Sequence, residues 1–267
     1  MPSAEAKAAQ RLIGPAITDV AGEPAGATQL ERLIARYHWT SSYCSGREVA
    51  EIACGTGQGL GLLGRNARRL FACDLSDENL DKVRLTYGSR FAIAQADAQA
   101  LPFEDNSLDV IVLLETLYFL PIPDAFLAEV KRVLRPGGYC LLSCINKDCP
   151  DFNPNHPLYF NHYGAPQLSE KLRQHGFEPE CFGIIPMDQP SIRSRVFKPL
   201  KQMAVRLNLI PESMQARLLL KRIVFGRLDL MPHDISVLAP PIVAPASISS
   251  DVPDLVHQVV LCAGVKS

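Results

Sequence analysis

Val49-Ala-Glu-Ile-Ala-Cys-Gly-Thr-Gly57 is the stretch of the 267-residue chain that decides its fold. Apolar residues around a single glutamate make a strand-sized run, which passes directly into Gly55-Thr56-Gly57, with a helix expected from about Gln58. Glycine is required at such a turn because the backbone must double back tightly and approach a ligand with no Cβ in the way. Glu51 adds a carboxylate inside the strand. A dinucleotide pyrophosphate is anionic and has little use for it, whereas a ligand carrying an ammonium group suits it. A literal Gly-x-Gly-x-x-Gly also occurs, at Gly59, Gly61 and Gly64. It begins inside the expected helix rather than after a strand, so close helix packing accounts for it.

Outward from this turn, short apolar runs alternate with helical patterns. The runs are residues 48–53, 69–74, 90–95, 108–114 and 139–145, followed by FEPECFGII and, near the C-terminus, VHQVVLCAG. Strand–helix alternation predicts βαβ units and a parallel sheet. Several runs are apolar at successive positions, as expected for strands covered on both faces. Ser76 is a helix N-cap ahead of Glu78–Tyr87. Residues 126, 127, 130 and 134 form a helical stripe that stops before Arg135-Pro136-Gly137-Gly138. A further helix spans roughly 166–175, ending at Gly176.

Two more carboxylates fall at strand ends. Asp74 closes the second run, where an acid can accept both hydroxyls of a ribose. Asp97-Ala98 follows the third, where a carboxylate and a backbone N–H can meet an adenine edge. Carboxylates after three successive strands converge at the carboxyl edge of the sheet, where open α/β sheets bind ligands.

Taken together, EIACGTG, ACDLS, ADAQALPFEDNSLDVIV and LRPGGYCLLS, in this order and spacing, resemble the class I S-adenosylmethionine-dependent methyltransferases. The nearest group is the small-molecule type 11 methyltransferases, and the likeness covers roughly residues 36–185 plus the final strand. The fold this implies is α/β and Rossmann-like, a mostly parallel seven-stranded sheet with helices on both faces. Its final strand is antiparallel, and a helical insertion precedes it. One domain is expected: a helical lead-in (1–45), a cofactor-binding core (46–185), a helical insertion (190–235) and a final strand (255–265).

The resemblance also implies contacts to S-adenosylmethionine and its product S-adenosylhomocysteine. Glu51, Ala53, Gly55 and Gly57 would line the methionine part, Asp74 and Leu75 the ribose, and Asp97 and Ala98 the adenine. Leu114 and Glu115 would flank the sulfonium. This chain departs from the family twice. Ala53 stands where most relatives have glycine. Glu115-Thr-Leu-Tyr-Phe119 replaces the common Glu-x-Leu-Glu-His, so the histidine that some relatives place there cannot be the base.

Composition narrows the function. A formal net charge of −1 does not fit a nucleic-acid protein, whose affinity rests on counterion release. Leu-Glu-Thr-Leu replaces the Asn/Asp-Pro-Pro-aromatic segment of adenine amino-methylating enzymes, and Cys149-Pro150 reverses the Pro-Cys of cytosine C5 enzymes. The eight cysteines include no C-x-x-C pair, and most lie in apolar runs. They read as reduced thiols rather than metal ligands. No signal-peptide pattern and no membrane-length apolar stretch is visible, so a cytoplasmic location is expected.

A small molecule carrying a hydroxyl or amine, such as a sugar, a lipid-linked intermediate or a secondary metabolite, is the expected acceptor. His156 and His162, after the fifth run, are the candidate bases, although a surface or structural role suits each of them better. Between Ser191 and Arg227 stand nine Lys or Arg residues and one acid, Glu212. This segment reads either as a solvated helix face or as a lid whose basic side receives an anionic acceptor or a membrane surface. The alternative to an enzyme is a non-catalytic S-adenosylmethionine-binding subunit or sensor, marked by a cofactor site without an acceptor pocket.

Overall fold

A computed structural model of the chain describes residues 19–154, 159–187, 228–241 and 243–267. It begins with strand β1 (Pro24–Gly26) and helix α1 (Ala27–Ser41). The core follows as β2 (Glu48–Ile52), α2 (Leu60–Leu63), β3 (Arg69–Asp74), α3 (Asp77–Tyr87), β4 (Ala92–Gln95) and β5 (Leu108–Leu114). A 3-10 turn at Leu117–Phe119 leads to α4 (Pro123–Val133), β6 (Leu134–Ile145), α5 (Ala165–Gln174) and β7 (Phe177–Pro186). The described chain ends with β8 (Leu228–Leu230), β9 (Ala246–Ile248) and β10 (His257–Lys266).

The main sheet has the order β4-β3-β2-β5-β6-β10-β7-β9. Strands β2 to β6 pair in parallel, and β10 runs antiparallel between β6 and β7. The expected Rossmann-like sheet with an antiparallel final strand is therefore present, with one strand more than expected. The extra strand is β9, which adds antiparallel to β7 from a Pro-, Ser- and Ala-rich stretch that reads as loop. A second correction concerns the insertion: Leu228–Leu230, expected as helix, pairs with β1 in a separate two-stranded sheet. Residues 190–227 of that insertion, and 1–18 of the lead-in, lie outside the described residues.

Side-chain alternation divides the core into two layers. Ala50, Ile52, Ile111 and Leu113 face a cluster with Phe126, Leu127, Leu168 and Leu172 of α4 and α5. Val49, Val110 and Val112 face Leu33, Trp39, Leu60 and Leu80 of α1 to α3 on the other side. Burial on both faces explains why the central strands are apolar at successive positions. Phe126 is fully buried, and truncating a residue of that size to alanine costs about 3–5 kcal/mol.

Local signals act as the sequence indicates. Ser76 accepts the Asn79 N–H at the start of α3, and Gly176, at φ +73°, follows the end of α5. The cysteine reading is corrected at one pair. Cys181 and Cys262 are cross-strand neighbours on β7 and β10, with Cα atoms 4.5 Å apart, and are joined as a disulfide. The other six cysteines are free and buried.

Candidate functional site

Between β2 and β5 the sheet changes direction: β2 hands on to β3 and β4 on one side, and β5 to β6 on the other. At such a switch point the loops leave in opposite directions and open a crevice. A cavity of about 720 Å³ lies there, within the size range of small-molecule sites. Both central strands are followed directly by a non-glycine residue in the left-handed region, Ala53 at φ +56° and Glu115 at φ +52°. That conformation is unfavourable for residues with a Cβ. It turns the chain away at the two strand ends that flank the crevice.

Eight of the ten expected cofactor residues line the cavity: Ala53, Gly55, Asp74, Leu75, Asp97, Ala98, Leu114 and Glu115. Asp74 is nearly buried. Its Oδ2 accepts the Gly55 N–H at 2.8 Å, and its Oδ1 accepts the Ser76 N–H at 2.8 Å and the Asn79 amide at 3.2 Å. Burial raises its pKa, and these donors oppose the rise. Asp97 accepts the Gln99 N–H at 2.9 Å. Glu115 is fixed from two sides, since the Ser143 hydroxyl donates to Oε1 and the Tyr118 hydroxyl to Oε2, each at 2.9 Å.

Gly57 and Glu51 lie behind the lining. A Cβ on Gly57 would meet Val83 at 2.8 Å and Leu60 at 2.9 Å, so this glycine serves the packing of the turn against α3. Glu51 is 1% exposed, and the Tyr37 hydroxyl donates to its Oε1 at 2.5 Å. Burial pushes its carboxyl up to about 7 against the pull of Tyr37 and Arg36, with Asp74 adding to the rise. Its Oε2 has no partner among the described residues.

Sequence reasoning missed the wall supplied by α1. Arg32, Arg36 and Tyr37 line the cavity, with Gln29 a turn earlier. Arg36 is 7% exposed and pairs with Asp19, while its Nε, like Glu51 Oε2, is buried without a partner among the described residues. Burial works to lower the Arg36 pKa, but the carboxylates of Asp19 and Glu115 outweigh it. The signal was available: Arg32 and Arg36 are spaced i, i+4 in the densest part of the lead-in, a spacing that puts both on one helix face.

The aromatic wall was missed as well. Tyr118, Phe119 and Tyr159 line the other end of the cavity. His162 does not. Its ring packs edge-on against Phe152 at 5.2 Å and Tyr159 at 6.0 Å, one ring removed from the lining. His156 lies outside the described residues. Among the described residues, no group of three or more His, Cys, Asp or Glu side chains could hold a metal.

The fit to an α-amino-acid headgroup rests on the two orphaned atoms. An unpaired guanidinium N–H and an unpaired carboxylate oxygen, both buried beside one cavity, complement a carboxylate and an ammonium respectively. Asp74 at the next strand end retains lone-pair capacity for a hydroxyl.

The chain is similar to known methyltransferases. Residues 50–142 match the model of a family described as a methyltransferase domain. The chain is 36% identical over 151 residues to a probable S-adenosylmethionine-dependent methyltransferase of Mycolicibacterium smegmatis, covering 54% of this chain and 57% of that protein. It is 37% identical over 110 residues to a fatty-acid O-methyltransferase of the same organism, covering 39% and 40%. The chain thus spans about half the length of the curated relatives it matches. Among solved structures, a possible histamine N-methyltransferase from Thermotoga maritima aligns with a TM-score of 0.56 at 15% identity over 89% of this chain and 92% of that one. The cyclase SpnF aligns with a TM-score of 0.55 at 21% identity over 96% and 93%. These structural likenesses show the fold, and the second shows that the fold serves more than one reaction.

Proposed function

From the match of residues 50–142 to a methyltransferase domain and the likeness to a probable S-adenosylmethionine-dependent relative, we propose that the chain transfers a methyl group from S-adenosylmethionine to a lipid-like small molecule. The observation that carries the proposal is the row of polar groups along one cavity. The unpartnered Arg36 Nε and Glu51 Oε2 suit the methionine carboxylate and ammonium, Asp74 the ribose, and Asp97 with Ala98 the adenine.

When bound, the methylsulfonium supplies an electrophile that is already activated. The protein's part is then alignment and exclusion of water, and positioning alone can account for about 7–11 kcal/mol of barrier. Glu115, held by Tyr118 and Ser143, places a fixed negative charge at the end of β5, where a sulfonium would lie. Ala53 and Glu115 shape the two lips of the crevice through their left-handed backbone.

The acceptor end supports a lipid-like molecule over a sugar. Phe119, Leu120, Pro121 and Ile145 are apolar, and the two tyrosines beside them present ring surface. A sugar would find few polar partners there. No described helix is long and apolar enough to cross a membrane. The test is turnover of S-adenosylmethionine with a panel of fatty acids, long-chain alcohols, amines and sugars. Release of S-adenosylhomocysteine is expected only with apolar-tailed members. A protein that binds S-adenosylhomocysteine but turns over none of them would fit a non-catalytic binding subunit instead.

A further inference from the structure

Past the cofactor-binding part, the cavity continues between α1 and the segment after β5. Tyr118, Phe119 and Tyr159 pack ring against ring there, with centroids 4.6–5.6 Å apart. The cavity lining also contains the guanidinium of Arg32, a helical turn before Arg36 on α1. Arg32 donates through Nη2 to the side-chain oxygen of Gln258, at the start of β10. Its Nε is buried and has no partner among the described residues. Its charge is felt at Tyr159, where it opposes the upward push of burial and Glu115 on the phenol. Arg32 therefore lies at the aromatic end, while Arg36 faces Glu51 and Asp19.

We propose that Arg32 is the acceptor-binding cation of this cavity, and that the acceptor is a carboxylic acid with an apolar body, methylated on its carboxylate oxygen. The inference rests on the methyltransferase reading above and names the substrate class of the same site. A buried, unpaired N–H on a charged group is unfavourable, and an acceptor oxygen relieves it. A guanidinium offers its donors in a plane that matches a carboxylate. The apolar wall receives the rest of the molecule, and Ile122 and Phe160, both more than half exposed, continue that surface beside Pro121 and Tyr159. Glu115 is the opposing charge in this region. Its two oxygens are already engaged by Tyr118 and Ser143, and Arg36 partly offsets it.

A carboxylate is ionised at neutral pH and needs no base, which departs from the hydroxyl and amine acceptors expected from sequence. A lone pair on the carboxylate oxygen forms the O–CH3 bond as the C–S bond breaks, and that bond's electron pair stays on sulfur. The anion and the sulfonium become a neutral ester and a neutral thioether, and no proton is released.

The experiment uses the full chain with S-adenosylmethionine and three probes sharing one tail: dodecanoate, dodecanol and dodecylamine. Dodecanoate is expected to give a methyl ester by mass spectrometry, with one S-adenosylhomocysteine per ester and no proton uptake or release in weakly buffered indicator solution. Arg32→Gln should raise KM for dodecanoate about tenfold or more while leaving S-adenosylhomocysteine affinity unchanged, with Arg32→Lys recovering only part of the loss. The inference is overturned if the wild-type protein binds S-adenosylhomocysteine but methylates the alcohol, the amine or none of the three. An unchanged KM in Arg32→Gln overturns it as well. So does loss of S-adenosylhomocysteine affinity in that variant, which would assign Arg32 to the cofactor or to the fold. A wild-type protein that binds no S-adenosylhomocysteine fails the underlying reading instead, and the two failures are told apart by that titration.

Discussion

In one half of the cavity the polar groups project from strand ends or the turns just after them: Ala53 and Gly55 after β2, Asp74 on β3, Asp97 after β4, Glu115 after β5. In the other half they come from a helix, a 3-10 turn and a residue beyond β6: Arg32, Tyr118 with Phe119, and Tyr159. Strand ends are fixed by the sheet's hydrogen bonds and by burial on both faces. A ligand shared by many chains can therefore be read there at constant positions. Helix faces and loops vary with little cost to the fold, which suits the part of a site that selects among acceptors. The two halves should respond to different perturbations, and each prediction below tests that separation.

The largest effect is expected in the strand-end half. Asp74→Ala should weaken S-adenosylhomocysteine binding about tenfold to a hundredfold by calorimetry, because hydroxyls lose a charged acceptor and the Gly55 turn loses the carboxylate that holds it. Unchanged affinity would remove Asp74 from the ribose site.

Next comes pH. The Glu51 carboxyl holds its proton to about 7 in the folded protein, above the ordinary glutamate range. Its contribution to folding is thus full below that ordinary range and is lost as pH rises through 7. Ammonium binding has the opposite sense, since it needs the ionised carboxylate. Affinity for S-adenosylhomocysteine should fall about tenfold between pH 8 and pH 6, and Glu51→Gln should flatten the profile. A wild-type profile as flat as that of the variant would separate Glu51 from the ligand.

The other half should move KM instead. Phe119→Ala or Tyr159→Ala should raise KM for an apolar-tailed acceptor about three- to tenfold and leave S-adenosylhomocysteine affinity within about twofold. Equal losses in both would mean that the halves are one unit. The smallest effect belongs to the lip of β2. Ala53→Gly relieves a left-handed alanine but loosens the unfolded chain, so a net gain of about 1–2 °C in Tm is expected by thermal scan. A fall in Tm would show that the Ala53 methyl group is held by contacts worth more than the strain.

The same division explains what could be read from the sequence. Strand runs, the Gly55-Thr56-Gly57 turn and the carboxylates after successive strands are encoded by neighbours in the chain, so the parallel sheet was legible, and eight of the ten residues expected to hold the cofactor line the cavity. Gly57 was placed in the turn, but its packing against α3 was not legible, because only the fold brings Val83 against it. Strand β9 and the β1–β8 pair escaped notice because three-residue edge strands leave no periodicity to count. The aromatic wall was illegible for a related reason: Tyr118 and Tyr159 are 41 residues apart and meet only once the segments after β5 and β6 converge. The Cys181–Cys262 pairing likewise depends on the register of β7 against β10, which no local pattern reveals.

The central claim is that the cavity at the β2–β5 switch point receives S-adenosylmethionine, and titration calorimetry with S-adenosylhomocysteine at pH 8, with NADH as the control, tests it most directly. The account predicts one site per chain with micromolar or tighter affinity for S-adenosylhomocysteine and no heat of binding from NADH. Binding of NADH, or of neither compound by a protein shown to be folded by circular dichroism, would contradict it.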